Sequence, residues 1–175
     1  MAAAAARRAF TLAELVAVMV VTGILAAGAV PAMRSVESVR ERALAAEVQR
    51  RLSFARSWAA ATGRPTGLRI ESSTGALTLV RIAADGDPPT NLPAASGAPG
   101  ASWFIARQFP GAAILSVRHG DNTLGAGTIW FGADGEPQIR DRNGAFLQEF
   151  TTDAQITVSG PSTITVRQVT GMIER

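Results

Sequence analysis

Residues 10–33 read FTLAELVAVMVVTGILAAGAVPAM, and the nature of this stretch decides the fold. Its only ionisable side chain is Glu14, and no charge occurs from Leu15 to Met33. A helix through Leu15–Met33 would rise about 28 Å at ~1.5 Å per residue, close to the ~30 Å hydrocarbon core of a bilayer. It is long enough to span or to anchor. Arg7 and Arg8 precede it and no basic residue lies within it, so the positive-inside rule predicts a cytoplasmic N-terminus and an exported remainder. Glu14 is costly in such a segment, roughly 2.5–3.5 kcal/mol at mid-membrane, and an acid kept there points to function. Near the helix start it would instead reach the interface, and its position fits both readings.

Outward from this stretch the helical period continues. Leu44, Val48, Leu52, Ala55, Trp58, Ala59 and Thr62 recur at three- and four-residue steps, which makes one apolar stripe within Arg34–Thr62 that must bury against something C-terminal. Glu37 with Arg40, and Glu47 with Arg50 and Arg51, sit at helix-neighbour spacings and read as a solvated face. Gly63 suits the C-cap and Pro65 the stop beyond it. From Thr11 to Thr62 the helix would measure about 78 Å at ~1.5 Å per residue. Gly23, Gly28 and Pro31 are the expected bends, because proline removes a backbone donor and crowds the preceding turn.

After Pro65 the period changes from 3.6 to 2. Strands are expected at 66–71 and 76–83 around the Ser72–Gly75 turn, then at 103–107, 113–118, 128–131, 138–140, 145–150, 155–159 and 162–169. Residues 85–100, DGDPPTNLPAASGAPG, have no apolar period and read as an exposed loop. Short strands with regular turn signals predict an antiparallel sheet, curled or split into two layers, packed on the helix stripe.

The length of 175 residues allows one domain plus the apolar stretch. There is no cysteine, which excludes disulfides, thiol nucleophiles and thiolate metal sites. The formal charge is +3, and every cation is arginine, so the bulk charge does not call for a nucleic-acid partner. Without lysine there is no P-loop. His119 is the only histidine, and no G-x-S-x-G accompanies it, so it reads as a solvated or hydrogen-bonded turn histidine and not as a catalytic base. Asp85-Gly86-Asp87 and Asp134-Gly135-Glu136 offer oxygen ligands for calcium, but their spacing is that of tight turns and not of an EF-hand. No catalytic residue, metal site or cofactor is expected.

The N-terminal residues carry a resemblance. Arg8-Ala9-Phe10-Thr11-Leu12-Ala13-Glu14-Leu15, with the apolar run and Pro31, resembles the leader and first helix of type IV pilins and type II secretion pseudopilins. Gly127-Thr128-Ile129-Trp130-Phe131, Asp134-Gly135-Glu136-Pro137, Gly171 and the helix Ala46–Gly63 are similar to the GspH/FimT group of minor pseudopilins and minor pilins. The resemblance implies an α+β, pilin-like fold: a long N-terminal helix, its first half in the membrane, packed on an antiparallel β-sheet or sandwich head. It implies that residues 1–9 are a leader, 10–33 the membrane and filament-core half of the helix, and 34–175 a periplasmic head with helix 34–62 and a β-rich part 66–175. A prepilin peptidase would cut between Ala9 and Phe10 and methylate the Phe10 amine. Removing Arg7 and Arg8 would lower the net charge from +3 to +1. The residue before the cut is usually glycine in this family, and Ala9 is its smallest replacement.

The resemblance further implies a non-enzymatic subunit whose Glu14 neutralises the terminal amine of a neighbouring subunit. Its partners would be other pseudopilins or pilins, inner-membrane lipid and exported protein substrates, at the tip of a type II pseudopilus. As alternatives, FimT-like minor pilins assemble type IV pili or take up DNA through exposed basic residues near the C-terminus. Here Arg140, Arg142, Arg167 and Arg175 are available for phosphates, but Glu149, Asp153 and Glu174 are interspersed, and a solvated face is the favoured reading. A further alternative is twin-arginine export of a periplasmic protein, read from Arg7-Arg8-Ala9-Phe10 with Ala27-Gly28-Ala29 as the cut. Glu14 in the apolar core and Pro31 just after that cut count against it.

Overall fold

The computed structural model describes residues 11–84, 87–92, 102–119, 122–123 and 126–175, with side chains at all of these except 28–34, 102, 122–123 and 126. The chain divides into two compact units at Glu37/Ser38. Helix α1, Leu12–Thr62, contributes to both.

In the first unit the described side chains of α1 are exposed from Leu12 to Ala27 on every side of the helix. Leu12, Met19, Ile24 and Leu25 are each more than 65% exposed. This part of the helix has no polar side to face water, and none of its described side chains is buried.

The second unit begins with the rest of α1, whose Leu44, Ala45, Val48, Leu52, Ala55 and Ala59 are fully buried at helical spacing. Trp58 is half-buried against this core, but Thr62 is exposed, one residue short of the cap. Its hydroxyl donates back to the Trp58 carbonyl at 2.7 Å. Gly63 takes φ +63°, the left-handed C-cap conformation open to glycine, and β1 starts at Thr66.

The strands form two antiparallel sheets. In the larger, β1 (Thr66–Glu71) pairs on one side with β2 (Ala76–Arg81) and on the other with β7 (Ala126–Phe131). Next to β7 stand β8 (Pro137–Arg140) and β9 (Phe146–Glu149), while β3 (Thr90–Asn91) and β4 (Ser102–Phe104) both pair with β2. The smaller sheet has the order β12 (Ile173–Glu174), β11 (Thr163–Val166), β10 (Ala154–Val158), β5 (Ile114–His119), β6 (Asn122–Thr123). Leu68, Ile70, Leu77, Leu79, Ile129 and Phe131 of the first sheet and Val117, Ile156, Val158, Ile164 and Val166 of the second close on the helix stripe as one core. Each set alternates along its strands with residues of the opposite face, where Val80 and Trp130 are also buried.

Three expectations need correction. Residues 103–107 are not one strand: β4 ends at Phe104 and a single turn, α2 (Ile105–Gln108), follows. The Ile105 N–H is taken by the Gly75 carbonyl at 3.0 Å, and the Ile105 side chain turns into the core. The segment 85–100 is not wholly exposed loop, because β3 lies in it and Leu92 is buried with its N–H bonded to the Leu79 carbonyl at 2.8 Å. Arg51 does not lie on a solvated face. It is 3% exposed, beside Leu52 on the buried stripe, with Nε donating to Glu47 at 2.8 Å and the guanidinium 4.9 Å from the Trp103 ring centroid. Burial opposes the Glu47 charge, but hydrogen bonds from Arg50 and the charge of Arg51 outweigh it and hold the carboxyl below its ordinary value.

Candidate functional site

Thr11 and Glu14 build the start of α1 between them. The Thr11 N–H and hydroxyl both donate to Glu14 Oε2 at 2.9 Å, and the Glu14 N–H donates to the Thr11 hydroxyl at 3.3 Å. This reciprocal cap satisfies helix donors that have no partner within the helix, and places a carboxylate at the positive end of the helix dipole. Thr11 was not singled out by the sequence reading, although Thr-x-x-Glu ahead of an apolar run is the signature of such a cap. Further along, the Thr22 hydroxyl donates to the Val18 carbonyl at 2.7 Å. Both threonines and the acid thus have their polar groups engaged within the helix, the condition for life in a medium without water. Thr11 and Glu14 are nonetheless exposed in the isolated chain.

Among the described residues no helix is long and apolar enough to cross a membrane. The uncharged run continues in the sequence through Gly28–Met33, where side chains are not described. Ala9 and Phe10 lie outside the described residues, as do the other residues of the expected leader, 1–8. At Pro31 α1 continues as helix.

The four arginines considered for DNA fall on different sheets. Arg140 and Arg142 stand at the β8–β9 turn, Arg167 and Arg175 around β11 and β12. Arg140 is half-buried and donates to the Gly144 carbonyl at 2.7 Å and to Gln138 Oε1 at 3.0 Å. Arg167 bridges Asp153 at 2.8 Å and Glu174 at 2.7 Å. The Gln168 N–H, bonded to Asp153 at 2.9 Å, and then Arg167 hold that carboxyl below its ordinary value. Arg175 reaches the Arg42 carbonyl at 3.4 Å. Of the four, Arg142 alone has no partner among the described residues.

His119 is the last residue of β5 and is neither solvated nor hydrogen-bonded at its buried Nε2. Its ring sits 4.3 Å from that of Phe150, and burial pushes its pKa down. Asp134 and Gly135 form the β7–β8 turn, in which Gly135 takes φ +77° and the Gly132 N–H donates to the Glu136 carbonyl at 2.8 Å. Arg56 of α1 donates to the Gly135 carbonyl at 3.3 Å. That carbonyl also lies where a Cβ on Gly171 would have to be, and Gly171 has φ +61°. The helix, the β7–β8 turn and the C-terminal segment are therefore fastened at one point. Among the described residues no cluster of histidine, aspartate or glutamate is arranged to hold a metal.

Residues 5–30 match the family model of the prokaryotic N-terminal methylation motif. The fold is similar to that of the minor pseudopilin EpsH from the type 2 secretion system of Vibrio cholerae. One structure of it aligns with TM-score 0.56 and 14% identity over 77% of this chain and 94% of that one. A second crystal structure gives TM-score 0.53 and 13% identity over the same shares. No curated protein sequence matches. The chain thus carries the methylation motif at its N-terminus and, behind it, an α+β head with the pilin-like fold of that pseudopilin.

Proposed function

We propose that this protein is a minor pseudopilin of a type II secretion system, a non-enzymatic subunit near the tip of a periplasmic pseudopilus. The observation that carries the reading is the conjunction of a methylation motif on an all-round apolar helix with an EpsH-like head. The helix would hold the subunit in the inner membrane as a single span with the head in the periplasm, and then transfer into a bundle of like helices. Both surroundings are apolar, so the transfer needs no refolding of the stem. Glu14 leaves its own Thr11 cap to meet the methylated Phe10 amine of a neighbour, since a charge in a low-dielectric bundle is costly unless paired. Type IV pili would use the same stem, and the EpsH likeness favours secretion.

Mass spectrometry of the protein from its native membrane tests the first step. An N-methylated Phe10 terminus is expected, and a start near Val30 would mean ordinary export. Glu14→Ala tests the second: membrane insertion is expected to persist while incorporation into filaments, followed by crosslinking to other pilin-like subunits, falls. Normal incorporation of that variant would refute the pairing. Deleting the secretion genes or the pilus genes of the host separates the two assemblies by which one loses the crosslinks.

A further inference from the structure

The helix-distal face of the larger sheet holds a trough that meets the main core only at Ile139 and Phe150 among its described lining residues. Leu68 and Ile70 on β1 and Ile129 and Phe131 on β7 belong to the core, so Gly67, Arg69, Glu71, Thr128 and Trp130 stand on the opposite face. The Trp130 ring lies close over β1 because Gly67 has no side chain. A Cβ there would stand 2.9 Å from Trp130 Cε3 and 2.7 Å from the Ile129 carbonyl oxygen. Val80 and Ile82 pack with Trp130 in a small cluster separate from the main core. On this base opens a cavity of about 880 Å³, walled by Pro88 and Pro89, by Gln138–Arg142, and by His119 and Phe150.

The charges of the trough are unevenly engaged. Glu71 accepts from the Thr74 hydroxyl at 3.1 Å, and Asp141 accepts from the N–H groups of Asn143 and Ala145 at 2.8 Å each. Arg140 is tied to Gly144 and Gln138. Arg69 and Arg142 line the same cavity with no hydrogen bond or ion pair among the described residues. Among the described residues, two guanidiniums without a partner therefore border a cleft whose acids Glu71 and Asp141 are already engaged, beside the apolar surfaces of Pro88, Pro89 and Ile139.

We propose that this trough binds an acidic segment of a partner polypeptide, its carboxylates taken by Arg69 and Arg142 and its apolar side chains by Pro88, Pro89 and Ile139. The volume is that of a ligand cleft. Guanidinium forks suit carboxylates, which they hold by paired, charge-assisted hydrogen bonds. A nucleic-acid strand would use the same cations but needs an open aromatic face on which to stack, and Trp130 is only 3% exposed. Glu71 and Asp141 would also repel its unbroken row of phosphates more than they repel spaced carboxylates.

Fluorescence anisotropy on the full chain in detergent micelles tests this. The probe is a pool of fluoresceinated octapeptides with Glu at alternate positions and Pro, Leu, Phe or Val between, against the same pool with Gln for Glu. The Glu pool should bind and the Gln pool should bind at least about tenfold more weakly. Arg142→Gln and Arg69→Gln should each weaken the Glu pool by about tenfold, and added salt should weaken it further. Arg142 is exposed, so its variant alone is decisive if Arg69→Gln fails to fold. Equal binding of the two pools, no binding of either, or indifference to both substitutions would overturn the assignment. So would capture of oligothymidylate, or self-association of the chain, that Arg142→Gln abolishes while the Glu pool stays unbound. Glu14→Ala should leave peptide binding intact, so this role and that of the stem fail separately.

Discussion

Leu15 and Leu52 lie on the same helix and meet opposite surroundings. Leu52 is fully buried in the core that both sheets share, whereas Leu15 is 53% exposed in a run of exposed neighbours. Burying one leucine side chain is worth roughly 1.5–3 kcal/mol, and the head collects that gain at each position of its stripe. The stem, with no buried side chain among its described residues, collects little of it. A contiguous apolar surface of this kind marks an interaction surface, so the first unit is finished only by lipid or by other helices, while the second is finished by itself. The polar groups repeat the contrast. In the stem they close locally, Thr11 on Glu14 and Thr22 on Val18, whereas in the head Arg51, Arg56 and Arg167 tie distant segments together.

The widest gap between the two regions should appear on truncating the head. Leu52→Ala removes a fully buried side chain from the middle of the stripe and should destabilise the head by about 3–5 kcal/mol, read as a lower denaturant midpoint of the full chain in detergent. A smaller loss is expected from Gly67→Ala. The new methyl would meet the Ile129 carbonyl and the Trp130 ring, and overpacking of this kind costs about 1–3 kcal/mol. An unchanged midpoint would show that the Trp130 ring moves freely off β1, and the trough floor would then not be built as described.

The parts of this fold that local pattern controls were open to reading. The alternation of Thr66–Glu71 matched β1 to the residue and the Ser72–Gly75 turn placed the start of β2, which ends at Arg81 and not at residue 83, while the helix stripe from Leu44 to Ala59 followed from spacing alone. What depends on distant partners was not. Trp103–Arg107 has strand composition throughout, but only the Gly75 carbonyl and the core position of Ile105 dictate that it turns after Phe104. Leu92 is a lone apolar residue in a proline-rich segment, and pairing with β2 decides its burial. Arg51 looks like Arg50 in sequence, and only Trp103 distinguishes them. The trough draws its lining from segments spread from Arg69 to Phe150, so no spacing announces it. The helix of the stem was legible for the opposite reason, since its pattern is local, whereas the equally local Thr11–Glu14 cap went unread.

A milder effect is expected from acid. His119 stays neutral in the folded head because burial holds its pKa below the ordinary 6.5, with Nε2 buried and unpartnered. The unfolded chain takes up a proton near that ordinary value and the folded chain does not, so stability is full above about pH 6.5 and declines as the pH falls toward the folded value. The slope for one group is at most about 1.4 kcal/mol per pH unit. Asp153 and Glu47 have folded values below 3.8 and 4.5, so their contributions are lost only as the pH falls below those ordinary values. His119→Phe keeps the ring on Phe150 and should flatten the upper decline. A decline that persists in that variant would assign the proton to another group.

The smallest effect should come from Leu15→Ala. With no protein around Leu15 to lose, the denaturant midpoint of the head should not move. What should change is partitioning into bilayers, by only about 0.5 kcal/mol, because one leucine at mid-helix contributes roughly that much to insertion. Flotation of the full chain with liposomes would read it as a slight shift toward the unbound fraction, and stacking the same change at Val18, Ile24 and Leu25 should enlarge the shift in steps. A midpoint lowered as far as by Leu52→Ala would mean that the folded monomer already covers Leu15. The contrast between a self-sufficient head and a stem that needs other surroundings would then fail, and with it the reason for reading the stem as a device for moving between membrane and filament.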